Sequence, residues 1–366
     1  MIKLGLKLIF LTFLVLVLSQ VAYQTKSAPD WGNNTLFRKQ FFFNKKKNNF
    51  NTVILGSSFL FRGLDPNVLD ANMDSIYQIR SFNFANNLHL APQTYFLLEE
   101  LLETKSPHLK YALIELSDVY SIENKYMHTN RIKQLYDYPY FMFCLGSVLH
   151  SDYSLLEKVQ RLFNHFITFL ERTFCIELFS GMKDARKDML GLTIYKDVYA
   201  QETKEALMFA IGSSYNGFLG DSLTYIPEIF DQQNRSSFLA DTLPLYFKRE
   251  TSLDIYDQMM LHGKSNEYHM DKIKELIARA EQAGVYVIFL LTPRHSDESY
   301  RAAVPIYRDL PAKNRIELSD SYHYPEFYMA KYSFDYVHLN EAGAEIFSKE
   351  LAIKFNKLLR QREEIP

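Results

Sequence analysis

Near the C-terminus, Asp335-Tyr336-Val337-His338-Leu339-Asn340-Glu341-Ala342-Gly343 sets a carboxylate three residues before an imidazole, at the mouth of an apolar-periodic segment. At that spacing Asp335 can accept a hydrogen bond from the Nδ1–H of His338. The Nε2 lone pair is then left to take a proton from a nucleophile. A nucleophile of the right type stands far upstream, in Asn51-Thr52-Val53-Ile54-Leu55-Gly56-Ser57-Ser58-Phe59. There a short apolar run ends in a small-residue turn, with Ser57 as the turn residue and Ser58 presented beyond it. Taken alone, Asp335 also fits a helix cap and His338 a satisfied turn. The pairing with Ser58 turns them toward acyl-ester chemistry.

Residues at opposite ends of a chain meet only if the fold brings them together, so the elements between them matter. Near-continuous apolar runs at Thr52–Leu55, Tyr111–Leu116 and Val285–Leu291 predict strands buried on both faces of a parallel sheet. Further strands are expected within Ser75–Phe84 and, more weakly, Arg315–Leu318. Helical periodicity covers Gln93–Glu103, Met270–Gln282 (stopped by Gly284) and Glu341–Leu359. Alternating strand and helix predicts a three-layer α/β domain, whose sites form outside the carboxyl ends of the strands. Residues 121–261 break the rhythm with aromatic-rich helical stretches such as Leu155–Phe179, which reads as an inserted helical cap or as a peripheral helical layer. The expected organisation is an N-terminal segment (1–25), a polar then basic linker (26–50), a core domain (51–120 plus 262–366) and the insertion (121–261).

Strand-Gly56-Ser57-Ser58 near the start and Asp335-x-x-His338-Leu-Asn-x-x-Gly near the end make the chain similar to the SGNH (GDSL-like) hydrolase superfamily. The likeness covers roughly residues 50–120 and 265–360. More closely it resembles the membrane-anchored branch, which includes the D-alanyl transfer protein of teichoic-acid synthesis and the alginate O-acetylation proteins. The resemblance implies a flavodoxin-like parallel sheet, with Ser58 as nucleophile, His338 as base and Asp335 as its orienting acid. Val287-Ile288-Phe289-Leu290-Leu291-Thr292-Pro293-Arg294 resembles the late core strand and following loop of that family. Two departures concern the oxyanion hole. The second block, Asn83-Phe84-Ala85-Asn86-Asn87-Leu88-His89, lacks the expected Gly, and Ser117 in Glu115-Leu116-Ser117-Asp118 stands where the family has Asn. Losing one oxyanion donor costs about 3 kcal/mol in other enzymes. The substitutes expected here are the Ser58 N–H, the Asn86 or Asn87 amide and the Ser117 hydroxyl. Arg62, His89 and Arg294 are candidate substrate contacts, with plain surface roles as the alternative. A literal Gly220-Asp221-Ser222-Leu223 makes Ser222 a competing nucleophile, although no buried strand precedes it.

Composition narrows the remaining classes. The chain has 366 residues, 47% of them apolar, and a formal net charge of -2, so no global field or basic stripe invites nucleic acid. The aromatic share is 15%, with 29 Phe and 25 Tyr, which suits sugar faces and membrane interfaces as well as a core. Lys3 and Lys7 precede an uncharged run, Leu8–Thr25, of roughly membrane-spanning length. It reads as a retained anchor or a cleaved signal, with the rest of the chain outside the cytoplasm. Cys144 and Cys175 sit in apolar surroundings and read as buried free thiols. His262, His269 and His323 have no ligand spacing, so neither metal nor cofactor is expected.

The expected function is an extracytoplasmic serine esterase or O-acyltransferase. Its expected partners are an acylated or acyl-accepting surface glycan and a membrane-bound O-acyltransferase. The rival readings are a non-catalytic accessory protein of the same fold and an aromatic carbohydrate-binding module.

Overall fold

The computed structural model describes residues 34–87, 89–104, 106–117, 136–173, 212, 214–220, 229–294 and 297–363, together with Lys7, Phe10, Leu14 and Val17. Ser222, Cys175, Asp118 and most of the N-terminal apolar run lie outside the described residues. In chain order the elements are α1 (Asn34–Lys46), β1 (Thr52–Leu55), α2 (Ser58–Gly63), α3 (Pro66–Ala71), β2 (Ser81–Asn83), α4 (Gln93–Glu103), β3 (Tyr111–Glu115), α5 (Tyr138–Leu149), α6 (Leu155–Thr173), α7 (Ile229–Ala240), α8 (Leu243–His262), α9 (Glu267–Gln282), β4 (Tyr286–Leu291), α10 (Asp297–Asp309), β5 (Arg315–Glu317) and α11 (Glu341–Glu363).

Five strands form one parallel sheet in the order β2-β1-β3-β4-β5. This is the flavodoxin-like order, whose switch point falls between β1 and β3. There Leu55 pairs with Ile114, so the residues following β1 and ending β3 share one corner of the sheet. The central strands are buried almost throughout because helices cover both faces. Ile54, Leu113, Ile288 and Leu290 pack with Leu60, Leu69, Phe347, Leu351 and Phe355 of α2, α3 and α11. On the other face Tyr95 of α4 meets the Phe289 ring edge-on, and α9 packs against both α4 and β4. Each such side chain contributes roughly 1.5–3 kcal/mol of burial, so the sheet face sets the register.

The α/β class and the parallel three-layer sheet match the sequence expectation; three local readings change. Residues 34–46, read as linker, form α1, with Leu36, Lys39 and Phe43 buried one turn apart. The strand expected within Ser75–Phe84 shrinks to Ser81–Asn83. Asn51 takes over the residues before it, accepting from Arg80 N–H (2.9 Å) and donating to the Gln78 carbonyl (2.8 Å), with Gln78 at φ 50°. The third change concerns the insertion. The chain divides into one unit of residues 1–34 and 122–204 and another of residues 35–121 and 205–366. The insertion read as 121–261 therefore ends earlier, because α8 packs on α10 beside the sheet.

In the first unit, α5 and α6 pack together through the stacked rings of Phe141 and Phe169, centroids 4.3 Å apart. Tyr136 Oη and His165 Nδ1 share a buried hydrogen bond of 2.7 Å. Cys144 is a buried free thiol, and burial pushes it well above its ordinary pKa. Among the described residues no helix is long and apolar enough to cross a membrane.

Candidate active site

The nucleophile turn is built by three small residues after β1. A Cβ on Gly56 would lie 2.6 Å from Glu115 Oε2 and 2.8 Å from Leu60 Cδ1, so only glycine fits. Ser57 is the N-cap of α2: its Oγ accepts from Phe59 N–H (3.1 Å) and its carbonyl accepts from Phe61 N–H (3.0 Å). Phe59, Leu60 and Phe61 are buried and fix the helix. Ser58 is thereby held at the first helical position, half-buried, with a backbone N–H that has no acceptor within the helix.

The partner loop is built by its own sequence. Asp335 Oδ1 accepts from Val337 N–H and His338 N–H, both at 2.7 Å, and Oδ2 takes the His338 ring Nδ1 at 2.8 Å. Leu339 is fully buried. Asn340 caps α11 by accepting from Gly343 N–H (3.0 Å), and a Cβ on Gly343 would sit 2.3 Å from the Tyr332 carbonyl. Each defined residue of the Asp-x-x-His-Leu-Asn-x-x-Gly run therefore has a local task.

The two ends of the chain meet: His338 Nε2 lies 2.8 Å from Ser58 Oγ. An Asp335 carboxylate accepting from Nδ1–H leaves Nε2 to accept from the serine hydroxyl. Burial pulls the Asp335 carboxyl upward. The His338 charge, its ring hydrogen bond and the two backbone N–H groups outweigh it, and Asp335 sits well below the usual carboxylate range. The arrangement can deprotonate an alcohol while keeping the countercharge in place.

Several expected site residues lie elsewhere in this scheme. Arg294 was expected at a substrate. Instead it is 2% exposed, and its guanidinium donates to the carbonyls of Phe327, Asp335 (3.3 Å) and His338 (3.0 Å) and to Ser333 Oγ (2.7 Å). It clamps the acid–base loop and holds its own backbone in the left-handed region at φ 65°. Burial pulls it down to about 10, so it stays charged at neutral pH. Arg62 and His89 are likewise buried, at 4% and 1% exposed.

Among the expected oxyanion donors, Asn86 N–H donates to the Gly56 carbonyl (3.0 Å) and Asn87 N–H to Asn86 Oδ1 (2.8 Å). Ser117 is buried and its Oγ accepts from Ala91 N–H (2.7 Å), which ties it to the loop and leaves its own O–H to donate. The Ser58 N–H, the Ser117 O–H and the Asn87 side-chain N–H₂ are the candidate donors that remain.

Sequence reasoning missed four charged residues around this site. Arg235 of α7 donates to the carbonyls of Ser333 (3.0 Å) and Phe334 (2.5 Å). Lys248 of α8 interacts with Arg294 and Asp335, and burial and then Arg294 pull it down to about 8. Lys39, fully buried, donates to the carbonyls of Asn83 (2.9 Å), Ala85 (2.6 Å) and Gly217 (2.8 Å) and holds the 83–87 loop. Glu115 closes β3 beneath the nucleophile turn. Only Glu115 left a signal in the sequence, a lone charge ending an apolar strand. Among the described residues no three metal-ligating side chains converge. His269 instead shares a 2.7 Å hydrogen bond with Tyr95, and His323 pairs with Asp320. Compared with known proteins, the chain matches no protein-family model and no curated protein.

Proposed function

We propose that this chain is a serine acyl-esterase or O-acyltransferase of SGNH type, working outside the cytoplasm on a cell-envelope glycan. The observation that carries the chemistry is the 2.8 Å approach of His338 Nε2 to Ser58 Oγ, with Asp335 on the far ring nitrogen. Ser58 Oγ attacks an acyl carbonyl as its proton passes to His338. The tetrahedral oxyanion meets the Ser58 N–H and the Asn87 amide. As the intermediate collapses, the ester C–O bond breaks and the leaving alcohol takes the proton from His338, leaving an acyl-serine. Water or a sugar hydroxyl then gives its proton to His338 and attacks this ester, and as the acyl–Oγ bond breaks His338 returns that proton to Ser58 Oγ. Water yields an esterase; a sugar hydroxyl yields a transferase.

Placement at the envelope and the glycan acceptor come from the N-terminal apolar run and from the superfamily resemblance, as does a membrane-bound acyltransferase as acyl donor. The first unit adds support. Along α6, Leu155, Val159, Phe163 and Phe166 are exposed on one stripe, with Lys158 and Arg161 beside them. That pattern suits a lipid interface. The test is fluorophosphonate labelling of the full chain in detergent, followed by release of acetate from acetylated surface glycans. Labelling that disappears in Ser58→Ala supports the reading. An unlabelled but folded wild type, as judged by circular dichroism, overturns it.

A second reading has its own observation. The Asn86 N–H, in the block where the oxyanion donors were expected, is bonded instead to the Gly56 carbonyl. A non-catalytic accessory protein that binds a glycan or a membrane acyltransferase would tolerate this. It predicts glycan binding unchanged by Ser58→Ala, with no turnover.

A further inference from the structure

Glu115 is 1% exposed, an unusual place for a carboxyl group, and it lies at the switch point directly beneath Gly56. Its Oε2 accepts from Ser57 N–H (2.5 Å), and its Oε1 accepts from the Thr292 hydroxyl at the end of β4 (2.8 Å). Its two oxygens thus tie the serine turn to the end of β4. Burial raises its pKa above the ordinary carboxyl value, and the hydrogen bonds from Ser57 and Thr292 and then the charge on His338 offset only part of that rise. The turn that Glu115 holds carries Ser58, whose Oγ lies 2.8 Å from His338 Nε2.

We propose that Glu115 is a positioning residue for the acyl transfer. Its carboxylate holds the Gly56–Ser58 turn and joins Asp335 in supplying the negative charge that balances the His338 imidazolium. The proposal rests on the reading of Ser58 and His338 as nucleophile and base. It explains why an apolar strand ends in a buried acid, and why Gly56 leaves its Cβ space to that acid. The charge therefore works on the serine turn and on the imidazole at once.

Two variants separate the roles. Glu115→Gln keeps an acceptor for Ser57 N–H and can donate to Thr292 Oγ, so the turn survives while the charge is lost. Glu115→Asp keeps the charge but shortens its reach. The readout is the pH profile of kcat/KM for an activated acyl ester, with KM and kcat separated. The other groups facing the base are Asp335, Ser58 and the Arg294 guanidinium, with Lys248 beyond Asp335. Burial and then the Arg294 charge pull Lys248 down to about 8, so it acts on the alkaline side and leaves the acid limb to the base and the carboxyl groups near it.

In Glu115→Gln the proton leaves the base at lower pH, so the acid limb moves downward. The kcat value falls roughly tenfold to hundredfold with KM nearly unchanged. In Glu115→Asp the limb stays in place while kcat falls. An acid limb that does not move in Glu115→Gln overturns the proposal, whether or not kcat falls. If Glu115→Gln does not fold, Glu115→Asp decides alone: undiminished kcat overturns the proposal. Wild type unlabelled by fluorophosphonate sinks the catalytic reading and this proposal together. Wild type labelled with Glu115→Gln indistinguishable from it sinks this proposal only.

Discussion

Two turns in this molecule are built alike. In each, an Asp stands three residues before a His, accepts from the two following backbone N–H groups through Oδ1, and takes the imidazole Nδ1 through Oδ2. One is Asp335–His338 and the other is Asp320–His323. Their surroundings differ. The Asp335 and His338 side chains are 3% and 13% exposed, whereas those of Asp320 and His323 are 17% and 70% exposed. Arg294 and Arg235 grip the first turn from outside it. Among the described residues only the first has a serine hydroxyl on Nε2. The comparison teaches that spacing makes an Asp–His couple, while burial and a distant third residue make it a candidate catalyst.

The strongest way to break this contrast is to remove the reacting atoms. Ser58→Ala and His338→Ala should each lower kcat for acyl-ester hydrolysis by about 10⁶-fold, the scale of the corresponding losses in other serine hydrolases. His323→Ala should leave it within about twofold. An active Ser58→Ala enzyme would end the catalytic assignment. Next in size, Asp335→Asn should cost about 10⁴-fold through loss of the oriented tautomer, with Asp320→Asn nearly silent in the same assay.

Removing the clamp tests the support without touching the couple. Arg294→Met leaves buried carbonyls and Ser333 without their donors, and should destabilise the fold by about 3 kcal/mol in urea titrations. Lys39→Met strands three carbonyls in the same way and should cost about 2–3 kcal/mol while α1 still forms.

The smallest expected effect is in acid. The folded-state pKa of Asp335 is depressed, so the stability it contributes is complete above its unfolded value, about 3.9, and drains as pH falls through the folded value. Wild type should therefore lose stability below about pH 4 more steeply than Asp335→Asn. The Asp320 carboxyl is also held below its ordinary value, with burial opposed by the His323 hydrogen bond. Its exposed partner makes its contribution smaller and salt-sensitive, and melting at low and high salt separates the two.

Much of the fold was legible because its signals are local. The buried strands announce themselves as apolar runs, and Gly284 and Asn340 punctuate their helices. Other features were disguised. In α1 a lysine interrupts the buried stripe of Leu36 and Phe43, so an amphipathic helix read as basic linker. Arg294 read as a surface cation because its partners, Phe327 through His338, gather around it only in the folded chain. Glu115 ended an apolar strand in plain view, but its acceptor role depends on Ser57 and Thr292, which the sheet brings to it.

The amino-acid sequence by itself determined the α/β alternation, the serine turn after the first strand and the internal geometry of each Asp-x-x-His turn, since neighbouring residues set all of these. Which of the two turns receives a hydroxyl was decided only by the tertiary structure. That depends on the sheet order, which places the end of β1 beside the end of β3, and on α11 docking against α2 and α3. Those contacts join the two ends of the polypeptide, and no spacing within either end encodes the distance between them.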